Sequence, residues 1–322
     1  MRIGLTQIMR SVRFRIEILR IALIELEKIL CGLVLVALFL VTPGCVVRKV
    51  VHVHAPPQSV PAREAALAEL VARIDSWSRP IRTMVATVDL TPTAGSVYSG
   101  VIKEYTDVKG FILLQKPSTL RLQGQAPVVG TRVFDMVSDG DEFRLYIPVK
   151  RKFIIGKDTF HRPAKNSLEN LRPQHILEAL IVPPIDPETE TTYRRTTNSR
   201  TEPKRYYVVN VVEAPSQKHI IPRRNVWFDA SNLELVRVQF YEPDGTCTEE
   251  VDYTNYQNFQ GIHYPTHIEI SRPEDDYEVT LTIEKTTFNE IIPPAKFELK
   301  QPEGVEVVNL DQPKQGASQD GQ

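Results

Sequence analysis

After Pro80 the apolar positions alternate with polar ones in short runs rich in Val, Ile, Thr, Phe and Tyr, punctuated by Gly, Pro, Asn and Asp. A period of two places successive side chains on opposite faces of an extended strand. The runs predict strands at 83–90, 99–105, 110–115, 119–125, 131–138, 142–148 and 152–156. A second series is predicted at 191–195, 205–213, 220–229, 235–241, 246–256, 267–271 and 277–284. Turns such as Lys116-Pro117-Ser118 and Asp139-Gly140-Asp141 are short, so neighbouring strands are expected to be antiparallel.

Two segments break the alternation. From Pro61 the apolar residues Ala66, Leu67, Leu70, Val71 and Ile74 recur at helical spacing to about Trp77, and Ser78-Arg79-Pro80 stops the pattern. Residues 167–180 carry Leu168, Leu171, Ile176, Leu177 and Leu180, with Pro173 expected to kink or divide the helix. The pattern therefore predicts a mainly β body: a single large antiparallel sheet, closed or half-closed.

The first 45 residues obey a different pattern. Ile29 to Val41 is uncharged and apolar, and it follows a segment containing Arg2, Arg10, Arg13, Arg15, Arg20 and Lys28. That order is expected of a signal peptide with a long basic region at 1–44; an uncleaved anchor is the alternative reading. Gly44-Cys45 resembles the lipobox of bacterial lipoproteins, with Thr42 and Pro43 departing from its usual residues. Lipidation of Cys45 is the expectation that follows, with a tether at 45–61, a folded domain at 62–310 and a disordered tail at 311–322. Of the three cysteines, Cys31 lies in the apolar run and Cys247 alone remains in the body, so no internal disulfide is expected.

Charge changes the picture only once the chain is divided. The 322 residues include 39 Lys and Arg against 40 Asp and Glu, a balance unlike that of a protein that wraps nucleic acid. Removal of residues 1–44 takes six basic and three acidic residues with it and leaves a mildly acidic body. Nucleophile elbows, P-loops, Rossmann glycines and zinc-helix motifs are not found, so no enzyme, cofactor or metal is expected. His52 and His54 in the tether, and His263 and His267 flanking Pro265, are weak metal candidates. Glu274-Asp275-Asp276 reads as a charged hairpin tip.

Several strings, taken in order, resemble the bacterial lipoprotein-localisation family, that of the carrier LolA and the receptor LolB. They are Gly110 to Pro117 followed by Leu120-Arg121-Leu122, Ser138-Asp139-Gly140 with Phe143 to Tyr146, and Asn225 to Asp229 with Leu235 to Val238. Gly261 to Pro265, Phe297 and Pro302 to Val308 complete the series. The resemblance implies that the sheet forms an incomplete, half-open barrel covered by helices, whose apolar lining holds the acyl chains of a lipid or lipoprotein, in a monomeric lipoprotein at the periplasmic face of the outer membrane. The lining it suggests is Phe111, Leu113, Leu120, Leu122, Phe134, Met136, Phe143, Leu145, Trp227, Val236, Val238 and Phe240. For any one of them a plain core position is the competing and commoner reading. Arg121 matches an arginine that contacts a lid in the carrier, or is the outward polar position of an amphipathic strand. A structural lipoprotein that docks an envelope complex, its interior filled, is the competing function.

Overall fold

The computed structural model describes residues 61–94, 103–104, 107–158, 172–199, 201–216, 219–275 and 277–311. All of them lie in a compact unit, Pro56–Gln322, distinct from Met1–Ala55. The signal segment, Cys45 and the tether, like the tail from 312, lie outside the described residues.

The strands are β1 (Thr83–Ala94), β2 (Lys103–Glu104), β3 (Val108–Gln115), β4 (Thr119–Gln125), β5 (Arg132–Ser138), β6 (Glu142–Ile147), β7 (Lys152–Lys157) and β8 (Glu190–Asn198). There follow β9 (Arg205–Ser216), β10 (His219–Asp229), β11 (Leu235–Tyr241), β12 (Cys247–Phe259), β13 (Ile262–Arg272), β14 (Tyr277–Phe288) and β15 (Glu306–Asn309). They form one sheet in the order β15-β7-β6-β5-β4-β3-β1-β14-β13-β12-β11-β10-β9-β8, with β2 beside β1. The β15–β7 pair is parallel; the other pairs are antiparallel, as between β1 and β14, which join the two halves. β8 and β15 are the two ends of the order, so the barrel is incomplete.

Among the described residues two α-helices cover the inward face, α1 (Leu67–Ser78) and α2 (Pro173–Leu180). α2 touches β4, β5 and β13, although β5 and β13 stand five steps apart in the sheet. Laid flat, five steps span about 24 Å, whereas eight residues of helix are about 12 Å long. The sheet therefore curls around the helix. Inward parity is carried by Met84, Ala86, Val88 and Leu90 on β1, Ile112 and Leu114 on β3, and Leu120 and Leu122 on β4, all buried. Gly110 and Gly124 face each other across β3 and β4. A Cβ on Gly124 would lie 2.3 Å from the Phe134 ring, and one on Gly110 2.6 Å from Val88. Phe134 and Val88 thus occupy the room that glycine leaves.

Helix α1 begins later than the Pro61 pattern predicts. Arg63 donates its backbone N–H to Ala230 O at 2.7 Å and accepts from the Tyr207 hydroxyl at 3.0 Å, which holds the segment before the helix extended, with Ala66 at ψ 158°. At the other end the Lys116 ammonium donates to Ser78 O at 2.6 Å, a cation on the negative end of the helix. Pro173 does not kink a longer helix; it stands at the first position of α2, where a missing N–H costs nothing. The predicted turn before it, 167–171, lies outside the described residues.

Candidate functional site

The inward face is sealed by a plug rather than by closure of the sheet. On α2, Ile176, Ala179 and Leu180 are fully buried, and Ile181, Val182 and Ile185 continue the apolar surface beyond the helix. Polar contacts fix the plug at its C-terminal end: the Tyr253 hydroxyl donates to Ala179 O at 2.9 Å and the Tyr264 hydroxyl to Leu180 O at 2.6 Å. Both tyrosines also hold α1, whose Trp77 stacks on Tyr264 at 5.5 Å and meets Tyr253 edge-on at 5.6 Å.

Register decides where the predicted lining falls. Leu120, Leu122, Met136, Phe143, Leu145 and Val238 are buried in the main core, with Phe134 and Phe240 packed against it. Phe111 and Leu113 are corrected to the opposite face, because Gly110, Ile112 and Leu114 carry the inward parity of β3. That strand is apolar on both faces, so alternation could not set its register. Trp227 also faces outward, its indole N–H donating to Gln239 at 3.1 Å. The β10–β11 register shifts beside it, setting Arg237 opposite Trp227 and Leu235 opposite Phe228. Val236 drops out of the ladder there and lines an outer groove with Trp227, Arg237 and Asp252.

Arg121 stands on the parity of β4 opposite to the buried Leu120 and Leu122. Its guanidinium forks onto Asp135 at 3.0 and 2.8 Å and donates to Lys296 O at 2.6 Å. The lid-contact assignment is therefore replaced by a clamp on the outer face. The segment it holds packs Phe297, Leu299 and Val305 over Val137 and Phe153, a second small core, before β15 joins β7.

A cavity of about 530 Å³ lies along the polar edge of α2, lined among others by Gln174, His175, Glu178, Asp158, Glu190, Arg224, Phe240, Glu249 and Arg272. Arg224, Glu249 and Arg272 come from strand positions of inward parity, Glu178 from α2 and Asp158 from just past β7. Phe240 of β11 stands opposite Arg224 on one side and Glu249 on the other. Arg224 forks onto Glu190 at 2.5 and 2.9 Å and donates to Pro184 O at 3.1 Å, tying β8 and the end of the plug to β10. Arg272 donates to Glu249 Oε2 at 3.0 Å and to Asp275 at 2.7 Å. Asp158 accepts from the Ser138 hydroxyl.

Burial pushes the Glu249 carboxyl up to about 8 against the pull of Arg272, with Glu178 adding to the rise. Burial also raises Asp158 and Glu178. A carboxyl raised on folding binds more protons in the native state than in the unfolded one, so its stabilisation is present below the ordinary value of 4.5 and is lost as pH rises through about 8. Urea denaturation is expected to show stability falling between about pH 5 and 8. Glu249→Gln flattens that slope by up to about 1.4 kcal/mol per pH unit; an unchanged slope in the variant would refute the assignment.

Sequence reasoning passed over these residues, although parity marks them. Val251 and Tyr253 are buried on β12 and so is Glu249; Ile268 and Ile270 are buried on β13 and so is Arg272; Val226 and Phe228 are buried on β10 and so is Arg224. A charge on the apolar parity of three nearby strands was the available signal.

A family model described as "uncharacterized protein" matches residues 186–301. No curated protein matches the chain. Among solved structures it is similar to a LolA superfamily protein from Nitrosomonas europaea, at 13% identity over 73% of this chain and 99% of that one, with a TM-score of 0.46. It is also similar to a DUF1329 family protein from Desulfovibrio piger, at 12% identity over 71% and 94%, TM-score 0.48. A domain described as outer membrane lipoprotein-sorting, from Vibrio parahaemolyticus, is similar at 10% identity over 71% and 94%, TM-score 0.45. No residue role passes between chains at such identities.

Proposed function

We propose that the chain is a non-enzymatic, membrane-anchored lipoprotein of a bacterial envelope whose half-barrel takes up lipid or lipoprotein acyl chains. Its place is in lipid or lipoprotein transport or outer-membrane localisation, with diacylated Cys45 as the anchor at the periplasmic face. The observation that supports uptake is the plug: the apolar inward face is covered by a helix of eight residues and the strand-like segment behind it. So short a helix is not stable alone and is held by docking. The six apolar side chains it docks, Ile176, Leu177, Leu180, Ile181, Val182 and Ile185, stabilise the closed state by roughly 1.5–3 kcal/mol each, about 9–18 in all. An acyl chain of about 15 methylenes offers about 12 kcal/mol by the same measure. The two occupants are of the same order, which is what reversible loading without chemical energy requires. Among the described residues no helix is long and apolar enough to cross a membrane.

The test is saturable binding of a fluorescent acyl probe to the body from Pro56 on, displaced by a long-chain fatty acid. A second reading, a docking lipoprotein with a permanently filled interior, draws on the full burial of Ile112, Leu122 and Met136; it predicts no uptake.

A further inference from the structure

A second cavity, of about 270 Å³, lies between the last turns of α1 and the turns β10–β11 and β12–β13. Its walls are Trp77, Phe228, Leu233, Leu235, Tyr256 and Ile262. Phe228, Leu233 and Leu235 are buried members of the main core and the other three pack against it, so the cleft is walled by the same apolar body that the plug fills. The polar groups around it are already engaged. Ser76 donates to Arg73 O at 3.0 Å, Tyr256 donates to Leu235 O at 2.6 Å, His263 meets Glu234 at 3.0 Å, and Arg73 lies 3.8 Å from Glu69. What remains for a ligand below that rim is apolar and aromatic surface. At about 270 Å³ the cleft falls short of the roughly 300–1,000 Å³ of a complete small-molecule site, so it holds part of a ligand whose remainder lies elsewhere.

Trp77 stands between this cleft and the plug. It is half-buried, and its ring packs on Tyr264 at 5.5 Å and on Tyr253 at 5.6 Å. Those are the two tyrosines whose hydroxyls hold Leu180 O and Ala179 O at the end of α2. The hydroxyls of Tyr253, Tyr256 and Tyr264 are all bonded to backbone oxygens. The indole N–H of Trp77 is hidden from solvent with no partner among the described residues. It meets no ligand in this position; its weight is energetic, because a buried donor left unmatched opposes the pose that hides it. Turning the ring outward gives that N–H to water and gives up the two ring contacts. The backbone beside it is anchored by Lys116, whose ammonium donates to Ser78 O at 2.6 Å, so the motion belongs to the side chain.

We propose that this cleft is the port of the interior: it takes the leading end of an unbranched alkyl chain, and the Trp77 ring turns aside to pass the chain to the plug. A chain that passes Trp77 meets Tyr253 and Tyr264 first, and so reaches the plug at the end where polar contacts fasten it. The port presupposes the acyl-chain binding proposed above and assigns the place of entry.

The chain holds two tryptophans, Trp77 and Trp227, so Trp227→Phe leaves Trp77 as the sole emitter. The full chain with that substitution, in a bile-salt detergent that has no straight chain to compete, is titrated with stearates dibrominated at successive depths. Bromine quenches an indole only at close range. Saturable loss of Trp77 emission is expected, relieved by plain stearate, whereas Trp77→Phe, which leaves only Trp227 on the outer face, shows none. In stopped flow, Trp77→Ala should speed the association of a fluorescent acyl probe at least about tenfold, because entry no longer waits for the ring to turn. Trp77→Phe keeps a ring over Tyr264 and should stay near the native rate. If the alanine variant fails to fold, the quenching of Trp77 decides alone. Probe binding with Trp77 unquenched, or with entry no faster in folded Trp77→Ala, overturns the port and leaves the carrier reading standing. Failure of the native chain and every variant to take up the probe overturns both.

Discussion

Replacement of Asp135 by alanine is expected to destabilise the body by about 3–5 kcal/mol, the range found when one partner of a buried ion pair is removed. The carboxylate is fully buried. It accepts from Arg121 at 3.0 and 2.8 Å and from Gln123 at 2.9 Å, with Arg132 at 3.2 Å. Its loss leaves the Arg121 guanidinium, whose side chain is 14% exposed, with only the backbone oxygens of Lys296 and Glu298. The damage should spread along the C-terminal strap, because Arg121 is what joins β4 to that segment. Urea denaturation gives the loss of stability, and limited proteolysis should find new cleavage between 294 and 311. A loss below about 1 kcal/mol would show that the pair does not hold the strap.

The second large effect has two signs. Leu180→Ala should lower the stability of the body by about 2–5 kcal/mol, since Leu180 is fully buried in the core. The same substitution should tighten the binding of an acyl probe, by up to about 100-fold if some 2.7 kcal/mol of the loss falls on the closed plug. A protein that is less stable and binds better is explained only if the side chain competes with the ligand for one place. If stability falls while probe binding stays absent or unchanged, Leu180 is a plain core residue and the interior is permanently filled. The Tyr264 hydroxyl bonds to the backbone of Leu180, which alanine retains, so the variant removes packing and not the tether of the helix.

The strands were legible because their periodicity and turns are local. Thr119 to Gln125 and Leu235 to Tyr241 end where the alternation ends. A mainly β body in one antiparallel sheet follows from the number of such runs and the shortness of their links, whereas its openness was implied only by the resemblance. What alternation could not supply was parity where both faces are apolar. Phe111, Ile112, Leu113 and Leu114 offer no polar reference, and only pairing with β1 and β4 shows that Ile112 and Leu114 point inward. A bulge does the same to Val236, since a slip of one residue exchanges faces. β15 was passed over because its four residues are largely exposed and its place depends on β7 and not on its own pattern. Arg121 was ambiguous from sequence, and its partner Asp135, fourteen positions away, settled it as outward.

If the plug and an acyl chain exchange for one apolar interior, titration of the body from Pro56 on with a fluorescent acyl probe gives saturable binding of one probe per chain, displaced by unlabelled fatty acid and strengthened by Leu180→Ala. A folded body that takes up no probe, in both the native sequence and that variant, rules the exchange out.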